Sequence, residues 1–206
     1  MESGFVPDEN IFVIGATMSG HYGPPTTGVT LTESSFAGAW NVQGDAHAPA
    51  FADVIRRLFD VALPVAPNTT TRTPTLTALW LGPASWLLVW AGKAAPENFD
   101  LCRDALNAVG GALFDVTASR VAWTVAGPHA ATVLAKNCPL DFHPRAFPES
   151  ACAQSLFAHM NALVYRRAAL PVFTLMVARS LARDAWLRLC RSAAAYGYDV
   201  LPPRFF

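Results

Sequence analysis

The sequence predicts an α+β fold made of two pseudo-symmetric halves, each a split βαβ unit of the ferredoxin-like type. Two pairs of similar segments support this duplication. Ala-Trp-x-Val-x-Gly occurs at 39–44 and again at 122–127, and Leu-Cys-Arg occurs at 101–103 and again at 189–191. The members of each pair fall at matching places in the predicted order of strands and helices. A short match is weak evidence by itself, but the agreement in order favours duplication.

The first half follows a segment rich in Gly, Pro, Thr and Ser, which predicts an extended N-terminal arm over 1–35 with one short strand at 12–14. Apolar residues at 51, 54, 55, 58 and 59 repeat with helical spacing and predict the clearest helix of the chain. The remaining predicted elements of this half are strands at 39–44, 76–81 and 86–90 and a helix at 96–109.

The second half repeats that order. It contains predicted strands at 112–117, 120–126, 152–158, 163–167 and 172–178, with helices at 129–136 and 181–195. We therefore expect three regions, an arm at 1–35, a first half at 36–111 and a second half at 112–206, with the two halves packed as one body.

The composition favours a protein that is covered by a partner. Charged residues make up 15% of the chain and hydrophobic residues 52%, whereas about 25% charge is usual. Permanent interfaces resemble a domain core cut in half, so they take up such an apolar surplus. The 15 basic and 15 acidic residues balance, which gives no indication of nucleic acid or of an anionic membrane. Neither a membrane-spanning segment nor an export signal is evident, so we expect a cytoplasmic location.

Motifs of known catalytic sites are missing from the sequence. It has no nucleophile elbow, phosphate-binding loop, dinucleotide-binding glycine pattern or metal-ligand spacing. We therefore expect no catalytic, cofactor-binding or metal-binding residue in this chain. Isolated cysteines, histidines and tryptophans are more typical of packing or of the surface than of a functional site. In this chain they are Cys102, Cys138, Cys152 and Cys190, His21, His47, His129, His143 and His159, and Trp80, Trp86 and Trp90.

One loop is a candidate for partner contact. The segment 137–149 is stiffened by prolines and carries Leu140, Phe142, Arg145 and Phe147. Stiff aromatic loops with an arginine are typical of interface anchors, because little conformational entropy is lost when they dock. The alternative is that Phe142 and Phe147 fold back into the core of the chain itself.

Several segments resemble one protein family. These are LWLGPASWLLV at 79–89, GALFDVT at 111–117, GPHA at 127–130, CPLDFHP at 138–144, AFP at 146–148, CAQS at 152–155 and VARSLA at 177–182. Together they resemble the gamma subunit of heterotetrameric sarcosine oxidase, over roughly residues 28–197.

The resemblance implies a fold similar to folate-binding aminomethyltransferase domains and a non-catalytic role in an enzyme complex. That family's enzyme demethylates sarcosine oxidatively and can pass the one-carbon unit to tetrahydrofolate. FAD, FMN, NAD, tetrahydrofolate and zinc are then expected in the alpha, beta and delta subunits. Two alternatives remain, a stand-alone folate-dependent aminomethyltransferase-like protein and a small-molecule binding module, because this fold hosts several roles.

Overall fold

The computed structural model describes residues 19–92, 97–168 and 170–205, which form twelve strands and four α-helices in two sheets. The predicted strand at 12–14 lies outside the described residues. No helix in the described ranges is both long and apolar enough to cross a membrane.

The first sheet has five strands and carries two helices. Its elements are β3 (Gly38–Gln43), α1 (Pro49–Phe59), β4 (Thr70–Arg72), β5 (Leu76–Gly82), β6 (Ser85–Trp90), α2 (Phe99–Asn107) and β7 (Ala112–Asp115). The strands lie in the order β4-β5-β6-β3-β7, and every neighbouring pair is antiparallel.

The second sheet has seven strands and the other two helices. Its elements are β1 (Gly20–Tyr22), β2 (Val29–Ser35), β8 (Arg120–Ala126), α3 (Ala130–Ala135), β9 (Cys152–Phe157), β10 (Met160–Arg166), β11 (Val172–Ala178), α4 (Ala182–Ala193) and β12 (Tyr198–Phe205). The order is β1-β12-β2-β8-β11-β10-β9, and only the β2–β12 pair is parallel.

The strand orders confirm the predicted duplication. Outward from β3, the first sheet runs β6, β5 and β4 on one side and β7 on the other. Outward from β8, the second sheet runs β11, β10 and β9 on one side and β2, then β12, on the other. Each half therefore contains a ferredoxin-like unit. The first half adds the edge strand β4, and the second half adds β9 at one edge, β1 at the other and β2 between β8 and β12.

The predicted boundaries of the two halves need correction. The arm predicted over 1–35 includes β1 and β2, and β2 is a largely buried strand inside the second sheet. The predicted second half began at residue 112, but β7 pairs with β3 and completes the first sheet. The strand at β7 was assigned to the wrong half because pairing between distant segments leaves no periodic signal within the segment itself.

Polar residues explain why β2 escaped prediction. Its sequence, VTLTESS, buries Thr32, Glu33 and Ser34 as well as Val29 and Leu31. The Ser34 hydroxyl lies 2.9 Å from the hydroxyl of Thr124 on the neighbouring strand, so these two buried hydroxyls hydrogen bond to each other.

Helix α1 agrees closely with its apolar pattern. Pro49 occupies the first turn, where its missing N–H costs nothing. Phe51, Val54 and Ile55 are buried against the first sheet. The helix ends at Asp60, which adopts a left-handed conformation with φ of 49°.

The two sheets pack face to face, and the helices cover their outer faces. Residues of both sheets share one buried cluster between them: Phe36, Ala39, Leu79, Leu87, Val89, Ala122, Cys152, Leu163, Tyr165 and Met176. The helices α1 and α2 pack on the outside of the first sheet, and α3 and α4 pack on the outside of the second. The result is a four-layer arrangement of helices, sheet, sheet and helices.

The repeated Ala-Trp pair occupies equivalent places in the two halves. Ala39 and Ala122 are fully buried between the sheets. The next residue of each strand points to the opposite face, where Trp40 contacts Phe99 of α2 and Trp123 lies 6.3 Å from Trp186 of α4. Small residues on the inner face therefore let the sheets approach, while tryptophans on the outer face hold the helices.

We predict that Ala122→Leu destabilises the chain by about 1–3 kcal/mol, because the added atoms overpack the contact between the sheets. The matched control is Ala50→Leu, on the exposed first turn of α1, which should change stability by less than about 0.5 kcal/mol. The free energy of unfolding in urea measures both changes. Equal effects of the two variants would contradict the packing described for Ala122.

Candidate functional site

The predicted partner-contact loop folds back on its own domain. Phe142 and Phe147 are 4% and 5% exposed and belong to the core of the second half. Their rings lie 5.4 and 6.3 Å from the ring of Phe173, measured between centroids. The expectation that these two residues anchor a partner is therefore corrected, because their side chains pack in the core of the chain itself, as the alternative predicted.

A buried arginine fixes this loop. Arg166 donates from Nη1 to the carbonyl of Phe147 at 2.9 Å and from Nε to the carbonyl of Ala168 at 3.0 Å. Its guanidinium also lies 5.9 Å from the ring centroid of Phe173. The loop is therefore part of the domain's packing, and its conformation does not depend on a second protein.

The other two predicted contact residues lie differently. Leu140 is half-buried against the same core, and Arg145 is exposed. Partner contact by Leu140 and Arg145 stays a prediction.

The cysteines lie in surroundings that disfavour nucleophilic chemistry. Burial raises the pKa of the Cys152 thiol to about 11, although a backbone hydrogen bond with Trp80 acts in the opposite direction. Burial also raises the pKa of Cys102 and of Cys190. In the described part of the chain, no thiol hydrogen bonds to a histidine. A reactive cysteine needs a lowered pKa, so the thiols serve packing.

One histidine pairs with a carboxylate at the sheet edge. His21 Nδ1 lies 2.6 Å from the Asp199 carboxylate, which also accepts a hydrogen bond from Thr27. The hydrogen bond to Asp199 raises the pKa of His21, and the same bond lowers the pKa of Asp199. The pair links β1 to β12 on the surface, so it holds an edge strand in place.

Metal-ligating side chains do not converge. Over residues 19–92, 97–168 and 170–205, no three His, Cys, Asp or Glu side chains lie close enough together to hold a metal ion.

A polar cleft lies on the inner face of the second sheet. It has a volume of about 580 Å³ and is lined by Arg120, Gln154, Ser155, Leu156, Asn161, Ala162 and Leu163. These residues come from β8, β9 and β10. Sequence reasoning missed this cleft, because only the pairing of three distant strands brings its side chains together.

Comparison with known proteins identifies one protein family that this chain matches. The model of the sarcosine oxidase gamma subunit family matches residues 43–195, which is more than half of the chain. The chain belongs to the sarcosine oxidase gamma subunit family.

Curated members of this family include gamma subunits from two Corynebacterium strains. The subunit from strain P-1 is 36% identical over 91 residues, and the subunit from strain U-96 is 38% identical over 88 residues. Each alignment covers 43% of this chain and 42% of the relative. The alignments therefore span less than half the length of these relatives.

Solved structures give a broader likeness. A chain of the heterotetrameric sarcosine oxidase from Corynebacterium sp. U-96 matches with a TM-score of 0.74 and 25% identity, over 82% of this chain and 85% of the other. The glycine cleavage system aminomethyltransferase T from Bartonella henselae matches with a TM-score of 0.56 and 14% identity, over 85% of this chain and 48% of the other. The second match shows a shared fold and confirms the aminomethyltransferase-like architecture predicted from the sequence.

We predict that Phe142→Ala combined with Phe147→Ala lowers the stability of the chain by several kcal/mol, since each truncation of a buried phenylalanine costs about 3–5 kcal/mol. Arg145→Ala is the control from the same loop, and we expect little change in its thermal unfolding. A double variant that melts at the wild-type temperature would show that the rings contribute nothing to the core.

We also predict that Cys152 resists alkylation by iodoacetamide at pH 8 in the folded protein. With a pKa of about 11, about one thiol in a thousand is ionised at that pH, and the side chain is fully buried. Mass spectrometry of peptides from native and urea-unfolded protein measures the labelling. Equal labelling rates in the two states would contradict the environment described for this thiol.

Proposed function

We propose that this chain is a non-catalytic assembly subunit of a multi-subunit, flavin-dependent sarcosine oxidase. The observation that carries the proposal is the structural match to a chain of the heterotetrameric enzyme, which extends over 82% of this chain and 85% of the other. The family match over 43–195 supports the same assignment.

The surface of the chain supports a role in assembly. Large apolar side chains remain exposed on several elements, namely Val65, Leu101, Phe114, Leu156, Leu170, Leu181, Leu187 and Leu201. A surface with little charge and exposed Phe and Leu side chains suits permanent contact with other chains. Burial raises the pKa of Cys102, Cys152 and Cys190, which disfavours their nucleophilic thiolate forms.

The complex we propose demethylates sarcosine oxidatively to glycine and hydrogen peroxide and transfers the one-carbon unit to tetrahydrofolate. In this proposal the alpha, beta and delta subunits are the partners of this chain. They hold FAD, FMN, NAD, tetrahydrofolate and zinc, and the assembly is cytoplasmic. In this proposal, the residues of this chain contact the other subunits and stabilise the interfaces between them.

The comparisons give no specific support to a stand-alone aminomethyltransferase. The match to the Bartonella transferase has 14% identity, and a shared fold does not establish a shared activity. The assembly role therefore remains the single function proposed.

We predict that co-expression of this chain with the other three subunits yields a complex that oxidises sarcosine and releases hydrogen peroxide. Omitting this chain should lower the yield of assembled complex, because contacts between the other subunits are lost. Size-exclusion chromatography and a peroxide assay measure assembly and activity.

Isothermal titration of the isolated chain with tetrahydrofolate is the control for the alternative. Stoichiometric folate binding by the isolated chain would contradict the proposal. Equal assembly of the complex without this chain would contradict it as well.

A further inference from the structure

The polar cleft lies on the part of the second sheet's inner face that the first sheet does not cover. Leu163 belongs to the buried cluster between the sheets, and Gln154, directly opposite it on β9, donates to the carbonyl of Leu81 on β5 at 2.6 Å. Two residues further along the strands, Asn161 and Leu156 lie opposite each other and are both exposed. The inner face of β9 and β10 therefore continues from the core into an open cleft.

A single guanidinium marks the far side of this cleft. Arg120 begins β8 and has the same orientation as Ala122, which faces the first sheet. It is half-buried, and burial lowers its pKa. No carboxylate of the described residues forms an ion pair with it.

A half-buried guanidinium has lost part of its water, and an ion pair with a carboxylate compensates that loss. Among the described residues, no such pair is formed by Arg120. A carboxylate placed beside Arg120 would restore the lost interactions, and a planar guanidinium binds a carboxylate through two parallel hydrogen bonds. The cleft is therefore complementary in charge to an acidic group.

The opposite side of the cleft is apolar and lies at the outer edge of β9, beyond the point where Cys152 N–H donates to the carbonyl of Asn68. Leu156 is 44% exposed on β9, the terminal strand of the sheet. A terminal strand has backbone N–H and C=O groups that face away from its neighbour, and an extended segment can pair with them. A volume of about 580 Å³ accommodates several side chains of such a segment.

We propose that an extended segment of another subunit of the oxidase occupies this cleft, with an Asp or Glu side chain paired to Arg120 and an apolar side chain packed on Leu156. The inference rests on the proposed assembly role and names the surface and the chemistry through which that role is performed.

The test measures binding of the purified chain to a subcomplex of the other three subunits by biolayer interferometry at several salt concentrations. Arg120→Met keeps an unbranched apolar side chain and removes the charge. It should raise Kd at least about tenfold and flatten the dependence of Kd on salt, because one member of a partly buried charge pair is lost. Arg57→Met, on the exposed surface of α1, is the matched control and should leave Kd unchanged.

A second variant, at Leu156, tests the same cleft without changing Arg120. Leu156→Glu places a negative charge on an exposed strand position, so the chain should fold normally but repel the incoming acidic segment. We expect this variant to weaken binding as well, with the melting temperature of the isolated chain unchanged.

Three results would overturn the inference. Wild-type Kd for both variants would show that the cleft is not the docking site. Self-association of the isolated chain that Arg120→Met abolishes would identify a second copy of this chain as the occupant. If the wild-type chain does not bind the subcomplex at all, the proposed function itself is overturned. If both variants bind with the wild-type Kd, only the choice of this cleft as the docking site is overturned.

Discussion

The close packing of the two sheets is the constraint on which the rest of the structure depends. Ala39 and Ala122 are fully buried in the cluster that both sheets share. Since the side chains of a strand alternate between faces, small residues on the inner side place Trp40 and Trp123 on the outer side, where they bind the helices of their own halves. The repeated Ala-Trp pair thus lets the two sheets pack closely and gives each half a tryptophan against which its helices pack.

Strand β2 breaks the symmetry of this duplicated body. It enters the second sheet between β8 and β12, whereas the first sheet pairs β3 directly with β7. Its buried Ser34 hydroxyl hydrogen bonds across the strands to the hydroxyl of Thr124. The second sheet is therefore wider than the first, and at the end of β9 and β10 its inner face extends beyond the cover that the first sheet provides. That uncovered end is the cleft containing Arg120.

The sequence allowed prediction of those features that leave a local pattern. Helix α1, the strands around Trp40 and Trp123 and the duplication of the halves follow from periodicity and from the repeated motif. Strand β2 was missed because three of its five buried residues are Thr32, Glu33 and Ser34, of types that are usually exposed. The role of Phe142 and Phe147 was assigned wrongly, since nothing in the loop sequence shows that Phe173 and Arg166 lie beneath it. The cleft could not be predicted, because its residues come from three strands that only the folded chain brings together.

We propose that the chain contributes to a larger enzyme through its surface, as a non-catalytic gamma subunit. Exposed apolar side chains and an arginine without a described partner are features that contact with another protein would satisfy. Native mass spectrometry of the co-expressed subunits tests the claim most directly. We expect one intact species in which this chain is present once, together with one copy of each of the other three subunits. A stable, active species that lacks this chain, with the chain itself observed only in the free state, would contradict the account.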